Sequence, residues 1–278
     1  METRPDILEN ALFPALKKVG HTPEDDIYTW SQGLGFHYSN LLAGLDENAT
    51  SAEKDAVVRD LWDFVGSVDL GKPNVVLGLT GGAADPRSVG GLLLAVMADR
   101  DHPAIMAMGD TVEEAILNWV RTFAIVDFGM YTYLEKQLGS KRCMDVYMGL
   151  WETFAIANLP HVKEAFGISG PDDVDMDTIG KISQAYWEAI ACPYRVTQHS
   201  DTVHEAEIEV CPYFENMKEI LGEGRARSMT LKCEAAVSVN YYDAILKALG
   251  VFDRYSFTMD KFACCGDDAC RVRFELRA

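Results

Sequence analysis

The sequence predicts an α+β fold in which a helix-rich N-terminal region precedes a small antiparallel sheet with helices in the C-terminal third. Apolar residues recur at helical spacing through most of the first two-thirds of the chain. From His199 onward, three segments alternate between apolar and polar residues, beginning near Val203, Tyr255 and Cys270. We therefore expect a helical region at 1–198 and a cysteine-bearing α+β region at 199–278, either as two domains or as one continuous domain.

The helical spacing predicts seven helices along the chain. They are expected at 5–19, 52–65, 111–138, 143–165, 177–191, 217–221 and 229–249. Thr111 should open the third with a capping box, Pro160 should break the fourth, and Gly250 should cap the last. Residues 74–79 are predicted to form a short strand.

The strands of the C-terminal third are predicted at 203–211, 255–263 and 270–276. The last two surround a short loop containing Asp267, which is typical of an antiparallel hairpin. Alternation places Arg271 and Arg273 on one face of the last strand. Pairing with a strand that presents glutamates would set opposite charges side by side and fix the register; the glutamates available are Glu205, Glu207 and Glu209.

The charge of the chain excludes several classes of partner. A formal net charge of -18 and a pI of about 4.6 repel phosphate backbones and anionic lipids. Residues 1–6 lack the apolar core of a secretory signal, and the most apolar stretch, 89–98, is shorter than the ~20 residues that cross a bilayer. We expect a cytoplasmic protein that takes a small-molecule substrate or ligand and binds neither nucleic acid nor membrane; the sequence leaves a homo-oligomer open.

Seven cysteines in a chain expected to be cytoplasmic favour free thiols, metal ligands or a catalytic thiol over a disulfide framework. The tripeptide Cys-Pro-Tyr occurs at Cys192 and again at Cys211, a repeat too short to support an inference. No Cys-x-x-Cys pair of a structural zinc site is present. Cysteines from separate elements could still converge on zinc or an iron–sulfur cluster, and the candidate ligands are Cys211, Cys233, Cys264, Cys265 and Cys270.

Thiol chemistry without a metal is the alternative to a metal site. Cys211 lies where a strand is predicted to end and a helix to begin, and helix N-terminal amides lower the pKa of a thiol. His204 and His199 are close in sequence and either could be its base. Asp267 could be a general base, or simply a turn-forming residue. The structural alternative for Cys211 and Cys233 is that they are small apolar core residues.

Three segments of the C-terminal third together resemble a known family. They are Glu-Val-Cys-Pro-Tyr at 209–213, Lys-Cys-Glu at 232–234 and Gly-Asp-Asp-Ala-Cys-Arg-Val-Arg-Phe at 266–274. Their order resembles that of the L-2-amino-thiazoline-4-carboxylic acid hydrolase-like family. The last hairpin also resembles 4-vinyl reductase (V4R) domains, which are small-molecule sensing modules. The tandem Cys264-Cys265 is an addition to the family pattern.

The resemblance implies hydrolytic opening of a cyclic amidine or thiazoline, in which water attacks an sp² carbon bonded to nitrogen and sulfur. In this hypothesis Cys211 is the nucleophile, His204 the proton carrier and Asp267 the orienting carboxylate. The residues expected around the substrate are Cys233, Cys270 and Arg271. No cofactor is required. The alternative is a V4R-like sensor without turnover that binds a small molecule, zinc or an iron–sulfur cluster.

Overall fold

The computed structural model describes residues 23–80, 85–157, 159–189 and 192–277. It confirms the predicted α+β fold, with many helices and a four-stranded antiparallel sheet. The described residues form two compact units. The helical unit comprises Pro23–Leu150 and Asn216–Met229, and the α+β unit comprises Trp151–Glu215 and the described chain from Thr230 onward. This division differs from the boundary expected at residue 198.

The helical unit packs its long helices around buried leucine and tryptophan side chains. Gly35 allows two of these helices to approach closely, because a Cβ at this position would lie 2.5 Å from the carbonyl oxygen of Leu93. The last helix continues through a kink at Gly139, where φ is 76°. The helices are α1 (Pro23–Asn48), α2 (Ser51–Ser67), α3 (Lys72–Val76), α4 (Pro86–Ala98), α5 (Pro103–Ala107) and α6 (Val112–Ala157), which belongs to this unit as far as Leu150.

The helices predicted at 52–65 and 111–138 are confirmed, whereas the strand predicted at 74–79 is wrong. The chain there forms α3 because Gly71, with φ of 72°, turns into a helix that has proline in its first turn. The Asn74 side chain bonds the backbone of Val68 and Leu70 across this turn. The helix predicted at 5–19 lies outside the described residues.

The α+β unit contains a sheet with the strand order β1-β2-β4-β3, in which every neighbouring pair is antiparallel. Helices α7 to α10 accompany it. The elements are α7 (Leu159–Ala165), α8 (Met176–Ala189), β1 (Tyr194–Ser200), β2 (Val203–Ile208), α9 (Pro212–Leu221), α10 (Glu223–Ala248), β3 (Tyr255–Lys261) and β4 (Cys270–Leu276). Helices α9 and α10 extend into Asn216–Met229 of the helical unit.

The expected pairing of glutamates with arginines predicted the register of the two central strands, β2 and β4, correctly. Glu205 pairs with Arg273 and Glu207 pairs with Arg271. Arg273 Nη1 lies 3.0 Å from Glu205 Oε2. The edge strand β1 was not predicted, because after a half-buried Tyr194 its remaining residues are exposed and show no apolar alternation.

The opposite face of the sheet is buried by aromatic side chains. The rings of Tyr242 and Phe257 stack with their centroids 4.2 Å apart, and Phe274 lies against both. A cavity of about 10 Å³ lies between this layer and α8, which is room for about one water molecule. Within the part of the chain that the structure describes, no helix has the length and apolar character to cross a membrane.

Candidate functional site

The sheet topology gathers five cysteines at one end of the sheet, which we call the cysteine end. Because neighbouring strands are antiparallel, β1 and β4 begin at the end where β2 and β3 finish. The cysteines there are Cys192 before β1, Cys211 after β2, Cys264 and Cys265 in the turn after β3, and Cys270 at the start of β4. Residues distant in sequence therefore meet in one place.

Helix α10 also packs against the cysteine end of the sheet. Thr230 Oγ1 donates a hydrogen bond of 3.0 Å to the carbonyl oxygen of Cys264. Cys233 and Glu234 follow three and four residues later, so they lie on the same face of the helix. Cys233 is buried and Glu234 is half-buried.

Cys211 is positioned at the N-terminus of α9, as the sequence predicted. Its carbonyl oxygen accepts the first helical hydrogen bond, from the amide of Glu215 at 3.0 Å. The polar groups around its sulfur are the Cys192 thiol and the backbone amides of Phe214 and Tyr213. The Cys192 thiol and then these amides lower the pKa of Cys211 against the opposing effects of burial and of the Glu234 charge.

Cys192 is the complementary partner in this pair. Its hydrogen bond to Cys211 and its burial raise its pKa well above that of an ordinary thiol. The proton therefore stays on Cys192 and the negative charge develops on Cys211. Cys192 is buried and Cys211 is half-buried.

The other cysteines of this end are held as neutral thiols. Burial is the main cause in each case, and it raises the pKa of Cys270 to about 12. Burial also raises the pKa of Cys264 and of Cys265. Cys270 Sγ accepts the amide of Ala263 at 3.3 Å, which fixes the sulfur against the turn. Cys211 is therefore the thiol of this cluster whose environment favours the anion.

Glu234 is a candidate functional residue that the sequence did not single out. Its charge contributes to raising the pKa of Cys264, Cys265 and Cys270 and opposes the lowering at Cys211, so its carboxylate lies near the cluster. The Ser238 hydroxyl donates to Glu234 Oε1 at 2.6 Å and orients it. The available signal was its position directly after Cys233 on a predicted helix, since an acidic residue beside a buried cysteine is unusual.

Tyr242 supplies a hydroxyl beside the same thiols. Burial, opposed by a hydrogen bond from Trp187, raises its pKa, and the nearby ionisable thiols of Cys192, Cys270 and Cys211 raise it further. Trp187 Nε1 donates to this hydroxyl at 2.5 Å. Tyr242 is therefore protonated at neutral pH and is a possible proton donor.

The structure does not bring His204 to Cys211. His204 lies near the start of β2, whereas Cys211 follows the end of this strand. The Cα atoms of His204 and Ile208 are roughly 13 Å apart, and Cys211 comes three residues after Ile208. His204 Nδ1 lies 3.1 Å from Nδ1 of His199, and its ring stacks on Trp187 at 6.2 Å. Its position therefore does not support the role of proton carrier for Cys211.

Asp267 and Arg271 also have positions that differ from those expected. Asp267 is exposed, and its carboxylate accepts the amide of Phe262 at 2.7 Å, which is the turn-forming alternative. Arg271 forms an ion pair with Asp260, in which its Nε lies 2.7 Å from Oδ1. Alternation along β4 places it on the face opposite the buried Cys270, so it does not line the cluster.

The proposed metal ligands do not assemble into a site. Across the described residues, no three His, Cys, Asp or Glu side chains are arranged so that they could hold a metal ion. The donor set of Cys211, Cys233, Cys264, Cys265 and Cys270 therefore does not fit zinc or an iron–sulfur cluster in this arrangement.

No family model matches the chain, and no curated protein or solved structure is significantly similar to it. The likeness of residues 199–278 to thiazoline hydrolase-like proteins thus rests on the sequence motifs alone. The geometry of Cys211, Cys192 and Glu234 is independent of that likeness.

Proposed function

We propose that this protein is a cysteine-dependent hydrolase that opens a C–N bond of a cyclic amidine or thiazoline-like small molecule. The observation that carries the proposal is the set of donors around Cys211 Sγ, formed by the Cys192 thiol and the first amides of α9. Donors that stabilise a thiolate make it a nucleophile near neutral pH. The substrate class comes from the resemblance of residues 199–278 to the thiazoline hydrolase-like family.

The first half of the reaction forms a covalent intermediate. The Cys211 thiolate adds to the sp² carbon of a cyclic amidine, the π electron pair moves to the ring nitrogen, and that nitrogen takes a proton. The remaining carbon–nitrogen bond then breaks with its electron pair going to the ring nitrogen, while the second amidine nitrogen forms a new double bond to carbon and gives up a proton to the leaving amine. The hydroxyl of Tyr242, which is protonated at neutral pH, is placed to supply the first of these protons. Negative charge that develops near the sulfur is stabilised by the N-terminal end of α9.

The second half consumes water and restores the thiolate. Water adds to the sulfur-bound carbon, and Glu234 accepts its proton as a general base. The bond between carbon and Cys211 Sγ then breaks, with the electron pair returning to sulfur. The two protons of the water molecule, one of them by way of Glu234, replace those that Tyr242 and the second substrate nitrogen gave up. The sum is the addition of one water molecule across the original carbon–nitrogen bond.

The first test is turnover of a panel of thiazolines and cyclic amidines by the full chain and by Cys211→Ser. We expect the serine variant to lose on the order of 10³-fold or more in kcat/KM. Cys265→Ser is the matched control, because Cys265 is also partly exposed but its pKa is raised mainly by burial. It should retain the wild-type rate.

Three outcomes separate the parts of the proposal. Equal turnover by the wild type and Cys211→Ser would overturn the assignment of the nucleophile. Failure of the wild type to turn over any compound of the panel would overturn the substrate class. A compound that forms a stoichiometric adduct on Cys211 but no product would instead favour the sensing alternative.

A further inference from the structure

Two histidines face each other across the β1–β2 hairpin, at the end of the sheet opposite the cysteine end. His199 pairs with His204 in the antiparallel register, next to the turn at Asp201 and Thr202. Nδ1 of His199 lies 3.1 Å from Nδ1 of His204, and the planes of the two rings make an angle of 79°. The register of the hairpin thus brings together two imidazole nitrogens from separate strands.

We propose that His199 and His204 form a binding site for a divalent metal ion of the zinc class, which their two Nδ1 atoms hold jointly. Imidazole nitrogen is a ligand that suits zinc, copper and nickel. A tetrahedral zinc ion with Zn–N bonds of about 2.0–2.1 Å separates two ligand nitrogens by roughly 3.3–3.4 Å. The observed distance is shorter by a few tenths of an ångström, and a small rotation of the exposed His199 ring supplies the difference.

The proton that the two Nδ1 atoms share in their hydrogen bond is relocated when the ion binds. It moves to an Nε2 nitrogen, so that the lone pairs of both Nδ1 atoms face the metal. Both imidazoles stay neutral, and no proton has to leave the site.

Two protein ligands make this an open site rather than a closed structural one. Across the described residues no three His, Cys, Asp or Glu side chains surround one point, so water or a solute would fill the other positions of the ion. These positions lie on the side of His199, whose side chain is exposed. Catalytic zinc sites likewise keep a position for water.

The surroundings hold the His204 ring in place. His204 is buried, its ring stacks on Trp187, and a Cβ at Gly180 of α8 would lie 3.0 Å from its Nδ1. Burial lowers the pKa of His204 to about 4, so the imidazole is neutral at neutral pH, which is the form that binds a metal. One ligand is therefore fixed before the ion arrives, and the exposed His199 ring can adjust to it.

Asp177 of α8 is placed to support the second ligand. Its Oδ1 lies 3.7 Å from His199 Nε2, the ring nitrogen that does not face His204. Histidines that bind a metal usually direct this second N–H to a carboxylate, which fixes the tautomer and the orientation of the ring. The Lys181 ammonium bonds the other oxygen of Asp177. Asp177 is therefore a positioning residue and not a ligand.

The first test is calorimetric titration of the reduced full chain with zinc chloride, followed by X-ray absorption at the zinc edge. We expect nitrogen ligands at about 2.0–2.1 Å and no sulfur at about 2.3 Å. His199→Ala should bind zinc at least tenfold more weakly, and because His199 is exposed its circular dichroism should match that of the wild type. His161→Ala is the matched control, since His161 is an exposed histidine of the same unit, and it should bind as the wild type does.

Asp177→Asn provides the second measurement on the same site. Loss of a carboxylate that orients a metal-binding histidine costs on the order of 10–100-fold in metal affinity. Asp172→Asn is the control, because it makes the same change in net charge at an exposed position nearby and should leave zinc affinity unchanged.

Equal zinc affinity of the wild type and His199→Ala would overturn the proposal, and so would zinc bound by sulfur alone. Weaker binding by His199→Ala with no change in Asp177→Asn would keep the two ligands and remove the role of Asp177. These measurements require no organic substrate and no change at Cys211. Zinc binding and the proposed hydrolysis can therefore fail independently.

Discussion

The two ends of the sheet in the α+β unit each hold a contacting pair of titratable side chains, and their environments have opposite consequences. At the cysteine end, hydrogen-bond donors lower the pKa of Cys211 and so favour its charged form. At the other end, which we call the histidine end and which consists of His199 and His204, burial lowers the pKa of His204 to about 4, and the charge of His199 adds to this effect. The same direction of shift makes a thiol an anion but keeps an imidazole neutral.

The difference lies in what surrounds each group rather than in how deeply it is buried. Cys211 sulfur has three donors, one from Cys192 and two from α9. His204 is 1% exposed, and its Nε2 has no hydrogen-bond partner among the described residues. Hydrogen-bond donors stabilise the thiolate of Cys211 and so make it reactive. Burial of His204 without a partner for Nε2 among these residues lowers the free energy of unfolding when the pH falls.

The largest effect on the free energy of unfolding is expected from a substitution at the histidine end. Because the pKa of His204 is lowered from 6.5 to about 4, its contribution is fully present above pH 6.5 and is lost as the pH falls toward 4. His204→Phe, which cannot take up a proton, should remove ~2–3 kcal/mol of that acid-dependent loss. Urea unfolding of the wild type and the variant between pH 7 and pH 4 measures the difference; parallel curves would contradict the account.

A smaller effect is expected where the two ends are connected. Trp187 stacks on His204 and donates its indole N–H to Tyr242, whose hydroxyl lies beside the cysteines. Tyr242→Phe leaves that buried N–H without its acceptor, which should lower the free energy of unfolding by about 1–2 kcal/mol.

The control for this change is Tyr241→Phe, which removes a hydroxyl at the next position and leaves the Trp187 hydrogen bond intact. Thermal unfolding followed by tryptophan fluorescence compares the two variants. If both lose equal stability, the bond to Trp187 is not the cause.

The smallest effect on stability is expected on the charged face of the sheet, where Glu205 and Glu207 pair with Arg273 and Arg271. Glu205→Gln removes an ion pair with Arg273 whose two side chains are half-buried, so the loss should be about 1 kcal/mol and shrink in high salt. Urea unfolding at two salt concentrations tests this. A loss that is large and independent of salt would show that this charged face supports the sheet more strongly than the two ends do.

The sequence predicted those features that depend on local pattern. Alternating charge in 203–211 and 270–276 set the β2–β4 register, and a strand followed by a helix located Cys211 at a helix N-terminus. The edge strand β1 has too few buried residues to produce such a pattern. Metal binding by the cysteines and a turn-forming role for Asp267 depend on the positions of side chains, which local sequence patterns do not give.

The roles of His204 and Glu234 show why the rest of the site could not be predicted. His204 is close to Cys211 in sequence, but an extended strand separates residues by about 3.3 Å each, so nearness along β2 becomes distance. Glu234 reaches the cysteines through the packing of α10, which no local pattern reports. Helices and turns follow from nearby residues, whereas a catalytic constellation depends on contacts between distant ones.

The most direct measurement of the central claim is the pH dependence of iodoacetamide labelling at each cysteine of the native full chain, read by mass spectrometry. Access to a sulfur scales its labelling rate at every pH, whereas the pKa of the thiol sets the midpoint, so the midpoints of Cys211 and Cys265 report the environments of their sulfurs. The account predicts a Cys211 midpoint below that of an ordinary thiol and a Cys265 midpoint above it. A Cys211 midpoint at or above the ordinary thiol value, or equal midpoints for the two cysteines, would contradict it.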